Sequence, residues 1–139
     1  MDESKIIAFV QKLSSDTANE KIAWQRLNDY QNRTDDCPDE ITQMLWECEY
    51  RHIDYHNSFF ATLPQGDVFV LHEDNESGRD DGIRSIGYKI YLQVLGKSKI
   101  SNISCPPHAI YQLLNAIQSS IAKSEIDAES FINQYLSQN

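Results

Sequence analysis

The chain has 139 residues, with 21 Asp and Glu against 12 Lys and Arg, which leaves nine net negative charges at pH 7. Length points to one domain over residues 1–139, and Leu, Ile, Val and Phe make up about a quarter of the chain, enough to build a core. So few cations exclude a general nucleic-acid binder, which needs a basic face to displace phosphate counterions, and no run approaches the ~20 apolar residues of a membrane span.

The first residues, Met1 to Lys5, are acidic, and the apolar run Ile6 to Val10 is shorter than the roughly 7–15 residues of a signal peptide. Cys37, Cys48 and Cys105 are odd in number and contain no CxxC pair, which suits a reducing compartment. A cytoplasmic protein is expected.

In chain order, Ile6, Phe9, Val10 and Leu13 recur at helical spacing behind an Asp2 cap, and Ser14-Ser15-Asp16 supplies stop chemistry. Ala23, Trp24, Leu27 and Tyr30 predict a second helix, interrupted at Asn32 to Asp36. Asp36-Cys37-Pro38-Asp39-Glu40 starts a third: Pro38 fits the first helical position, and the carboxylates meet the positive end of the helix dipole. Its stripe is Ile41, Met44, Leu45 and Cys48, running on through Tyr55.

After Asn57 the period becomes alternating, and Ser58 to Leu63, Val68 to His72 and Tyr88 to Leu95 read as three strands. Pro64-Gln65-Gly66-Asp67 closes a hairpin, and Glu73 to Ser85 reads as a long exposed loop before the third strand. Phe60, Phe69, Leu71, Tyr91 and Leu95 sit on the alternate face. Both faces are therefore partly apolar, so the second is covered by N-terminal helices or by a partner copy. Ile100 and Ile103 form a short extended segment before Cys105-Pro106-Pro107. An amphipathic helix on Ile110, Leu113, Leu114, Ile117 and Ile121 follows, then a terminal helix from Ser124 or Glu125. The fold class is α+β: N-terminal helices, a three-stranded antiparallel meander and two C-terminal helices packed around a single core.

On a continued third helix, Glu49, His52 and His56 share one face and could hold a divalent metal, giving a metal-binding protein or metal-dependent hydrolase. The HExxH arrangement is absent. Cys105 and His108 have two-residue ligand spacing, but Cys37 and Cys48 do not form the second knuckle of a zinc site. The acidic loop at 73–84 fails the calcium-loop template, with Glu73 where Asp is expected and Arg84 where the bidentate Glu belongs. No phosphate-binding, dinucleotide or nucleophile-elbow motif is present, so no cofactor is expected and the usual grounds for proposing an enzyme are missing.

Charge is uneven. Residues 1–82 hold 18 acids and 7 bases, whereas residues 83–139 hold 3 acids and 5 bases. An acidic face can steer a basic protein partner into contact, so the favoured reading is an inhibitor or immunity-like binding module using Asp35, Asp36, Asp39, Glu40, Asp74, Glu76, Asp80 and Asp81. An acidic DNA mimic acting on a nucleic-acid-binding protein is the alternative. A homodimer through a sheet or helix face also fits, with no direct contact to nucleic acid or membrane.

Overall fold

The computed structural model describes residues 2–27, 51–76, 84–97 and 99–138. Helix α1 (Glu3–Ala18) is followed by strands β1 (Gln25–Arg26), β2 (Arg51–Ile53), β3 (Phe59–Leu63), β4 (Gly66–Glu76), β5 (Arg84–Val94) and β6 (Ile100–Ile103), then by helix α2 (Pro107–Leu136). The fold class is α+β.

The Asp2 carboxylate accepts from the Ser4 N–H at 3.0 Å and caps α1. Ser14-Ser15-Asp16 does not stop the helix, because Ser14 and Thr17 return their hydroxyls to the carbonyls of Val10 and Leu13 and no longer compete with the helical backbone. The chain leaves α1 through Glu20, at φ 62°, with the Lys21 N–H on the Asp16 carbonyl. Trp24 then donates its indole N–H to Thr17 Oγ1 at 2.9 Å.

The expected second helix is not formed on its described residues: Gln25 and Arg26 pair with Phe60 and Phe59. Burial overrides the helical spacing here, since Trp24 and Leu27 lie in clusters on opposite faces of the sheet and an extended chain serves both faces by alternation. The start of the third helix, at residues 36–40, lies outside the described residues. Its continuation through Tyr55 is incorrect, because Arg51–Ile53 pairs antiparallel with β4.

The predicted meander is present as β3, β4 and β5, within a larger six-stranded sheet of order β1-β3-β4-β5-β6, with β2 paired to the far part of β4. Glu73–Glu76 and Arg84–Ser85 are strand rather than loop, in a ladder that runs from Gly66↔Val94 to Glu76↔Arg84; residues 77–83 lie outside the described set. The alternation of Phe69 and Leu71 continues through Glu73, which is buried.

The sheet divides the apolar interior into two layers. On one face α1 and α2 cover Phe59, Ala61, Val68, Val70, Ile90 and Ile103. On the other, Leu27 and Ile53 join Phe60, Phe69, Leu71 and Tyr91, so residues of this chain bury the second face, while α1 lies against the first. The two helices run in the same direction: Glu3 at the start of α1 acts electrostatically on Cys105, just before α2, and Glu20 beyond the end of α1 pairs with Lys123. The two C-terminal helices are one. Pro106 and Pro107 start it, and no Gly or Pro follows to end it.

Candidate functional site

The β2–β4 ladder assembles one end of the sheet. Arg51 stands opposite Asn75, His52 opposite Asp74 and Ile53 opposite Glu73, while Glu76 stands opposite Arg84 on the other side of β4. The segment carrying Asp35, Asp36, Asp39, Glu40 and Glu49 enters the sheet at Arg51, and the segment carrying Asp80 and Asp81 leaves it at Glu76. Two acid-rich segments far apart in sequence thus attach at neighbouring strand positions. Asp74, half-buried, and Glu76 belong to strand β4 rather than to a loop; the other six acidic candidates, and Glu49, lie outside the described residues.

His52 and His56 do not share a helical face. His52 is a ladder position, and His56 is exposed in the turn beyond β2, its carbonyl taken by Arg26 Nη1 at 2.9 Å. Helical spacing does not apply here, because His52 lies on a strand and His56 in the turn that follows, so the two are not one helical turn apart. Among the described residues, no group of three His, Cys, Asp or Glu side chains is placed to hold a metal ion.

Asp54 organises that turn. Its carboxylate accepts from the Asn57 side chain at 2.7 Å and from the backbone N–H groups of His56 and Asn57 at 3.2 and 3.3 Å. The Asn57 side-chain hydrogen bond is the main reason its carboxyl titrates below the usual 3.8. Ser58 links the turn to the sheet: its hydroxyl donates to the Asp54 carbonyl and accepts from the His72 N–H.

Beside it, His72 lies edge-on to Tyr88, with ring centroids 4.8 Å apart, and Tyr88 edge-on to Tyr111 of α2 at 6.4 Å. His72 Nδ1 is buried without a hydrogen-bond partner. Burial, and secondarily the Asp54 charge, holds the Tyr88 phenol above its ordinary pKa, in its neutral form.

Sequence reasoning missed Glu73. It is 2% exposed, accepts the Tyr91 hydroxyl on both carboxylate oxygens and has Lys89 Nζ at 3.3 Å. The continued alternation Phe69, Leu71, Glu73 was the available signal. Cys105 is a poor nucleophile, since burial raises its thiol pKa, and His108 is exposed on the first turn of α2. At the opposite end of the sheet, an apolar cleft of about 500 Å³ lies between Phe9, Leu13, Leu63, Leu92 and Val94.

No protein-family model, curated protein or solved structure matches the chain. No helix among the described residues is long and apolar enough to cross a membrane.

Proposed function

We propose that the protein is a cytoplasmic binding module, of inhibitor or immunity-like type, that docks a basic protein surface at the β2–β4–β5 end of the sheet. The register carrying Arg51 opposite Asn75 supports this reading, because it joins the two acid-rich segments to adjacent strand positions. Acid gathered on one region sets up a field that steers a cationic surface, whereas the same charge spread evenly serves solubility.

The test is kinetic. Asp35, Asp36, Asp39, Glu40, Asp74, Glu76, Asp80 and Asp81 are changed together to Asn or Gln, and association with the partner retained from native cell extract is followed against salt. At low ionic strength the association rate is expected to fall about tenfold or more, and its salt dependence to flatten. An unchanged rate and slope would sink the electrostatic reading. Release of the partner by duplex DNA would identify the acidic surface as a DNA mimic.

A further inference from the structure

The buried face of α2 is made by Ile110, Leu113, Leu114 and Ile117, and the same face continues along the helix after the body of the protein ends. Leu113, Leu114 and Ile117 are repeated as Phe131, Ile132 and Tyr135, an interval of about five turns at 3.6 residues each, which returns each side chain to the same direction. Yet every residue from Ala122 to Gln138 is exposed, with Phe131 at 71%, Ile132 at 54%, Tyr135 at 69% and Leu136 at 73%. The part of α2 beyond Ile117 forms an arm about 28 Å long at 1.5 Å per residue. A free helix of that length is marginal in water and owes its stability to what packs on its apolar face.

The surface that fits the arm lies at its own root. A groove of about 810 Å³ runs between the end of α1 and α2, with mixed walls: Ile22, Trp24, Ile121 and Ala128 stand beside the Glu20–Lys123 ion pair. We propose that α2 is a dimerisation arm whose occupant is a second copy of this chain, the two arms crossing antiparallel about a two-fold axis at Ala128. In that crossing Tyr135 lies over Ile121 of the second copy and Ile132 over its Ser124, so each arm fills the groove at the root of the other. Ser124 and Ala128 are small enough to let the helices approach closely.

A two-fold pairing needs arm and groove to be adjacent on one chain, and it closes without free ends. Phe131, Ile132, Tyr135 and Leu136 are each more than half exposed, and withdrawing them from water on both copies removes on the order of 1,000 Å², the size a specific interface must reach. This interface is separate from the acid-bearing end of the sheet and does not depend on its function.

Sedimentation equilibrium of the full chain at tens of micromolar is expected to give twice the 16.0 kDa chain mass. Phe131→Asp combined with Tyr135→Asp is expected to restore the monomer mass with circular dichroism still showing a folded α+β protein, because both side chains are exposed and support no core. Ala128→Cys is expected to give a disulfide-linked dimer, and Ile126→Cys, on the opposite side of the helix, is not. A wild type that stays monomeric, whether or not it binds lipid vesicles or another protein, overturns the proposal. So does a dimer that survives the double substitution, or one that links no better through Cys at 128 than at 126.

Discussion

Tyr91 of β5 donates its hydroxyl to both carboxylate oxygens of Glu73 of β4, at 3.0 and 3.1 Å, inside the sheet layer that also holds Phe69 and Leu71. Two apolar strands thereby carry a carboxylate that is 2% exposed. Such a group is tolerated only while donors satisfy it, and hydrogen bonds to a charged acceptor are the stronger kind.

Tyr91→Phe is therefore expected to destabilise the fold by about 1–3 kcal/mol. Lys89→Met removes a half-exposed cation and is expected to stay below about 1 kcal/mol. Adding Glu73→Leu to Tyr91→Phe is expected to recover much of the loss, since both polar partners then go together. Urea denaturation of Tyr91→Phe, Glu73→Leu and the double variant measures the coupling.

The Asp54 turn predicts a dependence on pH. Its carboxyl titrates below the usual 3.8 in the folded protein, so its stabilisation is fully present above the unfolded value and disappears as pH falls through the folded one. Asp54→Ala is expected to destabilise by no more than about 1 kcal/mol at pH 7, because the turn is exposed and screened. Its difference from wild type is expected to shrink below pH ~4. A constant difference from pH 7 to pH 2 contradicts the assignment.

Gly66 closes the β3–β4 hairpin with φ at 144°, and a Cβ there would lie 2.1 Å from the Gln93 carbonyl oxygen. Both the backbone conformation and the neighbouring strand exclude a side chain. Gly66→Ala is expected to lose about 1–3 kcal/mol, read as a fall in Tm of several degrees. Leu63 and Val94, paired with Gly66 in the ladder, are expected to show the largest backbone NMR shifts.

Thr17 passes one hydrogen bond to the Leu13 carbonyl at 2.7 Å and receives another from Trp24 at 2.9 Å. Thr17→Val is expected to strand the buried indole N–H and destabilise by about 1–2 kcal/mol, while Thr17→Ser is expected to hold most of the stability. Tryptophan fluorescence during unfolding monitors both. Equal losses from Val and Ser would mean that packing, not the hydrogen bond, holds Trp24.

Local chemistry was legible where each residue's partners are near it in sequence. The Asp2 cap, the α1 stripe, the turn at residues 64–67 and the amphipathic stripe Ile110, Leu113, Leu114 and Ile117 all depend on neighbours within a few positions, and each is found as expected. The α+β class follows from the same periods. Those periods read less well where one segment serves both layers: Ala23 to Leu27 has helical spacing, but Trp24 and Leu27 are claimed by opposite faces of the sheet.

For function, the sequence determined the charge imbalance and the missing catalytic motifs, because both are properties of composition and order. It also contained the unbroken apolar stripe of α2, although Ser124 and Glu125 resembled a restart. Tertiary structure decided what those features meet. Pairing β2 with β4 put His52 on a strand where a helix was expected, and it brought the ends of two distant acidic segments together at Arg51 and Glu76. The physical reason is that strand pairing is set by long-range backbone hydrogen bonds and by burial on both faces of a sheet, and neither is encoded in the spacing of residues along a single segment.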